Sequence, residues 1–449
     1  MKKQNNDIWD KLYDFFSSIK LAVLLLFLLA LTSIIGTVIE QQASPDVYEK
    51  YGEFWKNVIL KLHLYDVYHS WWYILLIVLF AINLIVCSIK RLPYIHKLVK
   101  YPQKKLTLDI EKKLPLLYKI TLDASKLEEI KNKIKNLLTK LGYKVEIIEE
   151  GKNIYVFADK RPWARYGVYI VHIGILIILA GALISALFGY RGYMNLAPRT
   201  QSNLVTLFYS DKIIELPFYV KCNDFKIEFY PNGMPKAYVA NISIIEDGKE
   251  VVNHLVKVND PLEYDGIYFY QASYGQGAFL FSLNQNGQVK RIPVALQQAF
   301  KVLNTYYIPM AWDEQGRILM QYIVHGLKKS FIMLPGIPYK VGKNTTLTCE
   351  GIFPNVMWTG LQVSKDPGAN IVWIGSAIMI VGLIIAFFIS HHRVWVRLEK
   401  EEERENRVLF VIGGLTNKEK EKLEKELVQI FENIKKNFAA SDINRGLTS

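Results

Sequence analysis

One histidine lies inside an otherwise continuous apolar segment, and its position indicates metal chemistry. The segment covers residues 166–188, and His172 lies about two turns from its start. Burying an imidazole in hydrocarbon is costly, so an ionisable residue within a membrane segment is a candidate functional residue. A neutral imidazole nitrogen is a common ligand of iron and other transition metals. On its residue type and position, His172 is therefore a candidate iron ligand within the membrane.

A stripe of glycines on the same segment predicts close packing. Gly167, Gly174 and Gly181 recur every seven residues and leave a smooth face that another helix or a flat ligand can approach. On these residues alone, a structural interpretation of His172 stays open beside the ligand interpretation. In the structural interpretation the imidazole is hydrogen-bonded to a helix carbonyl or to Asn83, which satisfies its polar nitrogens without a metal.

Four apolar segments of this kind position the histidine. Each is about as long as a helix needs to cross a bilayer, and His172 is the only His, Lys, Arg, Asp or Glu within them. The sequence therefore predicts a polytopic α-helical membrane protein with four transmembrane helices. These helices are predicted at residues 21–39, 71–89, 166–188 and 371–390.

The distribution of charge predicts the orientation of these helices. Residues 90–165 hold 19 Lys and Arg against 9 Asp and Glu, whereas residues 40–70 hold 3 against 5. An excess of Lys and Arg marks cytoplasmic loops. The net charge of +13 is therefore assigned to membrane topology and not to nucleic acid binding. We expect a multi-pass protein of the inner (cytoplasmic) membrane, with residues 1–20, 90–165 and 391–449 in the cytoplasm and residues 40–70 and 189–370 outside.

The segments between the helices predict two water-exposed folds. Residues 90–165 read as a small cytoplasmic α+β insertion, whose helix begins with a capping box of Ser125 and Glu128. Residues 189–370 read as a large extracytoplasmic all-β domain with hairpin turns. We expect an amphipathic helix in the 40–70 loop and a solvated or partner-binding helix at residues 417–437. The hairpin turns are predicted at Asn232-Gly233, Asp247-Gly248, Asp265-Gly266 and Asn286-Gly287.

Other potentially reactive side chains are weaker candidates than His172. We interpret His63 and His69 as solvated or interfacial residues, and His391 and His392 as interfacial residues first and as an entry contact for the iron-bearing ligand a distant second. Cys222 and Cys349 lie on the predicted oxidising side, where a disulfide is possible, while Cys87 is assigned to packing. The sequence contains no Cys-x-x-Cys motif, which argues against a thioredoxin-like reductase.

Five stretches in order along the chain resemble the ResB family, also called CcsB, of system II cytochrome c biogenesis. The resemblance covers nearly the whole length, and its specificity comes from the order and spacing of the pieces. They are SIKLAVLLLFLLALTSIIGTVI from Ser18, DVYHSWWYILLIVLFAINLIVC from Asp66, RPWARYGVYIVHIGILIILAGALISALFGYRGYMNL from Arg161, VNDPLEYDGIYFYQASYG from Val258 and DPGANIVWIGSAIMIVGLIIAFFISHHRVWVRL from Asp366.

The resemblance implies a function and a set of partners. It implies that the chain works with a ResC or CcsA-type membrane protein, carries haem b outward and supports its attachment to apocytochrome c, alongside thiol-reducing proteins of the same pathway. His172 corresponds to the intramembrane histidine that gives one axial ligand to the haem iron, with Gly174 and Gly181 packing nearby. The partner's tryptophan-rich segment is absent, which implies the partner-dependent half of the system and at most an accessory subunit of its haem lyase.

Three classes of function are compared on this basis. The first is a haem-handling membrane subunit, and the second is a structural chaperone that holds apocytochrome c or the partner without ligating haem. The third, a membrane oxidoreductase, is the weakest because one imidazole cannot supply both axial positions of a bis-histidine haem. For a complex with the ResC-type partner, we expect the glycine face of residues 166–188 to form the interface.

Overall fold

A computed structural model describes residues 8–41, 45–208, 212–232, 234–324, 327–400 and 406–439. The prediction at Asn232-Gly233 falls partly outside this description, because Gly233 is not included. The helices are α1 Ile8–Phe16, α2 Ile19–Val38, α3 Glu53–Lys61, α4 Trp71–Lys100, α5 Leu108–Glu111, α6 Leu127–Lys140, α7 Gly167–Phe188, α8 Ala369–Phe388 and α9 Lys420–Phe438. Short 3₁₀ helices occur at Pro45–Tyr51, Leu64–His69, Ala124–Lys126 and Pro162–Tyr166.

The strands are numbered in chain order. They are β1 Leu116–Asp123, β2 Lys144–Glu150, β3 Asn153–Lys160, β4 Tyr190–Leu196, β5 Thr200–Leu207, β6 Ile213–Phe229, β7 Pro235–Glu246, β8 Lys249–Val256, β9 Leu262–Tyr264, β10 Ile267–Gln285, β11 Gln288–Ala295, β12 Phe300–Val302, β13 Thr305–Trp312, β14 Ile318–Val324, β15 Leu327–Met333, β16 Tyr339–Gly342, β17 Thr345–Lys365, β18 His392–Lys400 and β19 Arg407–Thr416.

In the part of the chain that the structure describes, four helices are long and apolar enough to cross a membrane, as the sequence predicts. They are α2, α4, α8, and α7 together with the 3₁₀ turn that precedes it. Helix α4 continues past the predicted end at residue 89 and through the basic stretch to Lys100, with Pro93 inside it. Hydropathy falls where the charges begin, but a helix ends only where its backbone hydrogen bonds end. The hydropathy pattern therefore located the apolar segment correctly but underestimated the length of the helix.

The chain divides into two compact units, and the first contains residues Met1–Leu28, Leu75–Ala180 and Ile371–Ser449. Its sheet is antiparallel, with the strand order β1-β19-β18-β3-β2. Helices α6 and α9 supply buried side chains to a core shared with these strands. The helix predicted at 417–437 is present as α9, but it packs against the sheet and is not solvated on all sides. The tail provides two central strands, and α9 buries one face, which is formed by Leu423, Leu427, Ile430 and Ile434.

Strand β18 also binds the chain that leaves α4. Arg393 donates to the Leu98 carbonyl oxygen at 2.6 Å and forms an ion pair with Asp159 at 3.1 Å. Trp395 Nε1 donates to the Gln103 carbonyl oxygen at 2.9 Å. Because these carbonyls lie at or beyond the last turn of α4, the contacts satisfy acceptors that the helix leaves unpaired. The sheet is thereby fixed to the end of a membrane helix.

The start of α6 differs from the predicted capping box. Asp123 caps the 3₁₀ turn that precedes α6, since its side chain accepts from the Ser125 amide at 2.9 Å, and the N-cap of α6 itself is Lys126 without a side-chain cap. The capping-box prediction was based on spacing, but an aspartate two residues earlier competes for the same amide. The predicted helix itself is present.

The second unit contains residues Leu29–Ile74 and Gly181–Asn370, and it includes the large all-β domain. One sheet has the main strand order β11-β10-β17-β4-β5-β6-β7-β8, and another has the order β12-β13-β14-β15. The long strands β10 and β17 contribute to two hydrophobic cores. The three predicted turns that lie wholly in the described chain join strands as expected, and both residues of each have positive φ. Helix α3 also forms where the amphipathic pattern predicts it.

Cys222 and Cys349 do not form the disulfide that the sequence left possible. Both are buried free thiols, and they belong to different cores of the β-domain. Burial raises the pKa of the Cys222 thiol to about 12 and also raises that of Cys349. A thiol in such surroundings is inert as a nucleophile. These cysteines therefore act as small core side chains.

Candidate functional site

His172 is held by a hydrogen bond from the neighbouring helix α4. Its Nδ1 lies 2.9 Å from Ser88 Oγ, and Ser88 Oγ donates to the Leu84 carbonyl oxygen at 2.7 Å. When Ser88 donates to Leu84, its oxygen can accept from an Nδ1–H of His172. In that tautomer Nε2 carries the lone pair that can bind a metal.

The second ring nitrogen of His172, Nε2, is available to bind a ligand. Nε2 has no hydrogen-bond partner among the residues that the structure describes. The side chain is half-buried, and the Tyr169 ring stands edge-on to it with 6.1 Å between centroids. In metal sites a ligand histidine commonly donates its other N–H to an oxygen, which fixes the ring and raises ligand basicity. The Ser88–His172 pair has this arrangement, so the site fits one metal–imidazole bond.

Asn83, the structural partner considered for His172, has a different role. Its amide Nδ2 donates to the Phe16 carbonyl oxygen at 2.7 Å and to the Ser18 carbonyl oxygen at 3.2 Å. These contacts attach α4 to the end of α1 and the start of α2. Asn83 therefore does not satisfy His172, and the neighbouring-helix partner is Ser88.

Sequence reasoning missed Ser88, although a signal was present. Ser88 is near the end of its apolar segment, and His172 is near the start of the next one. Successive spans run in opposite directions, so these positions come to a similar depth. A serine inside a helix can bond back to the carbonyl four residues earlier and still accept a second hydrogen bond. Comparing the depths of polar residues in consecutive spans would have found the pair.

The glycine stripe packs α7 against α8 of the same chain. A Cβ added at Gly174 would lie 2.6 Å from the backbone nitrogen of Met379, and one at Gly167 would lie 2.8 Å from that of Ala386. The contact is reciprocal. A Cβ added at Gly375 would lie 2.8 Å from the backbone nitrogen of Ile178, and one added at Gly382 would lie 2.6 Å from that of Val171. The two backbones are therefore in direct contact at glycines spaced by seven residues on each helix.

This packing corrects the expected partner interface. Because α8 covers Gly167 and Gly174, their face is not available to a second protein. The carbonyl oxygen of Gly181 is likewise in contact with Gly368, just before α8. The interface was predicted from the stripe alone, which identifies close helix packing but not which helix packs there. His172 lies on a different side of α7, beside α4.

Two histidines near the other end of α4 have local partners. Asp66 Oδ1 lies 2.7 Å from His69 Nδ1, and this hydrogen bond raises the pKa of His69. His63 adopts a left-handed backbone conformation with φ 54°, and its Nδ1 lies 3.2 Å from the Tyr65 hydroxyl. Both side chains remain substantially exposed, in agreement with their interpretation as solvated or interfacial residues.

The structure corrects the interpretation of His391 and His392. Both are buried at the start of β18, with 3% and 2% exposure, and are not interfacial. His392 Nδ1 lies 3.3 Å from the Tyr143 hydroxyl and 3.6 Å from Glu426. Burial alone would raise the pKa of Glu426, but His392, Tyr143 and Lys160 outweigh it and lower the value to about 2. These histidines are buried because the tail enters the sheet, which the sequence pattern did not predict.

The described residues contain no group of three or more His, Cys, Asp or Glu side chains arranged for a metal ion. The site is instead a single imidazole, oriented by a serine on the next membrane helix. Four helices apolar enough to cross a membrane and a large β-domain define the class of polytopic membrane proteins, and His172 is the candidate ligand for a metal-bearing group.

The family follows from comparison with known proteins. The sequence matches the ResB-like family over residues 19–316 and 313–428, and the chain belongs to this family. It is 28% identical to a cytochrome c biogenesis protein CcsB of Gloeobacter violaceus, over 94% of this chain and 91% of the relative. The CcsB protein of Microcystis aeruginosa is 29% identical over 93% and 94%, respectively. A cytochrome c biogenesis protein Ccs1 of Pyropia yezoensis is 28% identical over 96% and 98%.

Proposed function

We propose that this chain is a membrane subunit of a cytochrome c biogenesis system and binds haem b as its cargo through His172. The observation that carries the proposal is the free Nε2 of His172, oriented by Ser88 within a membrane segment. The names of the relatives support the pathway. Haem is the substrate here, so the chain has to hold the iron reversibly and not as a permanent redox centre.

A second protein is needed to complete the haem site. One imidazole fills one axial position of the iron, and a second axial ligand from the same chain would have to lie opposite Nε2. Within the described residues the apolar parts of the spanning helices contain no other histidine, and His96, in the basic end of α4, has its Nδ1 2.9 Å from the Tyr166 hydroxyl. We therefore propose a ResC or CcsA-type membrane protein as the source of the other ligand. It would approach Nε2 and not the glycine face, because α8 covers that face.

The proposed direction of transport is outward, from the side on which the α+β unit lies. His172 is near the α7 end that follows β3, and the loop at that end is strongly basic. The proposal places the α+β unit in the cytoplasm and the β-domain outside, where apocytochrome c and thiol-reducing proteins would meet it.

Paired reporters test this orientation. Insertions in the exposed turns at Gly151-Lys152 and Asn286-Gly287 are expected to activate a cytoplasmic reporter at the first site and a periplasmic reporter at the second. The reverse result would overturn the orientation and the direction of transport with it.

The function itself is tested by cytochrome c assembly in cells that lack the native chain. Wild-type protein should restore covalently bound haem in cytochrome c, and His172→Ala should not. Added imidazole should restore part of the assembly, because it can occupy the axial position that the variant lacks. If His172→Ala supports full assembly at matched protein levels, the chain acts without ligating haem, as a chaperone for apocytochrome c or the partner.

A further inference from the structure

A line of side chains extends from His172 toward the α+β unit, between α4 and α7. His172 and Tyr169 are three residues apart on one face of α7, and Arg165 lies four residues before Tyr169 in the 3₁₀ turn that leads into α7. Each has a partner on α4. His172 lies within hydrogen-bond distance of Ser88. Tyr169 is in electrostatic range of Arg91, and Arg165 is in electrostatic range of Tyr94. We call the strip between these pairs the α4–α7 groove.

The groove ends at Arg91 and Arg165. Within the described residues neither side chain forms a hydrogen bond or an ion pair, and Arg165 Nε is buried without a partner. Asp159 is in electrostatic range of Arg165; Arg393 donates to its Oδ2 from Nε at 3.2 Å and from Nη2 at 3.1 Å, while its Oδ1 is buried without a hydrogen-bond partner. A buried guanidinium N–H without an acceptor costs free energy. Arg165 and Arg393 therefore share one carboxylate, and the site keeps capacity for a further negatively charged group.

His391 lies near the same cluster of positive charge. Its Nδ1 is buried without a partner, and its exposure is only 3%. Burial is the main cause that lowers the pKa of His391 to about 4, and the charges of Arg165 and Arg393 lower it further. Arg165 and Arg393 therefore concentrate positive charge at this end of the groove.

We infer that Arg91 and Arg165 bind the propionate carboxylates of the haem whose iron binds His172, an inference that rests on the proposed function. A haem held at membrane depth brings two ionised carboxylates, and leaving them unpaired in hydrocarbon is costly. Guanidinium groups pair with carboxylates in a bidentate geometry. Arg165 is about 10 Å from His172 along the helix, which matches a ligand with iron at its centre and carboxylates at its edge. Tyr169 lies between them, against the ring.

Esterified haem provides the test, because haem dimethyl ester retains the iron and ring but has no free carboxylates. The complex copurified with its membrane partner is titrated with haem and with the dimethyl ester, as wild type and as the Arg91→Gln/Arg165→Gln double variant. Wild type should bind haem at least about tenfold more tightly than the ester, from the value of hydrogen bonds to charged groups. The double variant should lose that preference while its iron keeps the axial-ligand spectrum of wild type.

Lys97→Gln is the matched control, since it removes one positive charge from another side of α4 and should keep the preference for haem. Equal binding of haem and ester by wild type would overturn the inference. If the double variant keeps the preference but loses copurifying anionic lipid, the arginines hold lipid phosphate and the inference is wrong. The two proposals can fail separately. If His172→Ala loses haem binding and the axial-ligand spectrum, but wild type binds haem and its dimethyl ester equally well, the proposed function stands and only this inference is wrong.

Discussion

Ser88→Ala should weaken haem binding without disturbing the fold. The change removes the only hydrogen bond that the described residues make to the His172 imidazole, at 2.9 Å from Nδ1. The helix loses little, because a serine that bonds back to the carbonyl four residues earlier contributes nothing to helix stability. Loss of a hydrogen bond that orients a metal ligand typically lowers metal affinity by 10–100-fold. We therefore expect haem affinity to fall by about 1.4–2.7 kcal/mol.

The assay is a haem titration of the purified complex followed by its absorption spectrum, with two matched variants. Ser376→Ala removes a hydroxyl that bonds the Val372 carbonyl oxygen at 2.8 Å in α8, the same local geometry without an imidazole. It should leave haem affinity unchanged. Ser88→Thr retains a hydroxyl that can make both bonds and should restore most of the affinity. The reasoning is refuted if Ser88→Ala and Ser376→Ala bind haem equally well.

Two further predictions follow from packing and burial. Gly174→Leu should lower the yield and thermal stability of the full-length protein in detergent, because its added Cβ would lie 2.6 Å from the Met379 backbone nitrogen. The control Ala180→Leu adds the same side chain on an exposed side of α7 and should be tolerated. Equal stability of the two variants would contradict the α7–α8 contact. The pKa of His391 is lowered to about 4 in the folded protein, so the unfolded chain binds the extra proton first and stability should fall as pH drops from about 6.5 toward 4. His391→Gln should reduce this dependence of stability on pH, measured as the melting temperature at each pH. An unchanged dependence would show that other titrating groups cause it.

Much of the architecture could be predicted from the sequence because its signals are local. Hydropathy over some twenty residues located the four apolar helices, and two-residue turns such as Asp247-Gly248 located hairpins. The family resemblance was likewise confirmed by the match over residues 19–316 and 313–428. His172 could be singled out because burying a titratable residue in hydrocarbon costs free energy, so such residues usually have a function.

The remaining features depend on contacts between distant parts of the chain. The tail strands β18 and β19 form the middle of a sheet whose other strands lie more than 200 residues earlier, and nothing in their own pattern specifies that pairing. The partner of His172 depends on the relative depth of α4 and α7. The glycines of α7 predict a close contact, but only the three-dimensional arrangement identifies α8 as the other side of it.

The central claim is that the Nε2 of His172 binds the haem iron, and the haem-to-protein ratio of the purified complex tests it most directly. Wild type and His172→Ala are compared at equal amounts of intact complex, before and after imidazole is added. We expect the variant complex to assemble normally, to lose most of its haem, and to regain part of it with imidazole. A His172→Ala complex with the full haem content and an unchanged axial-ligand spectrum would contradict the claim.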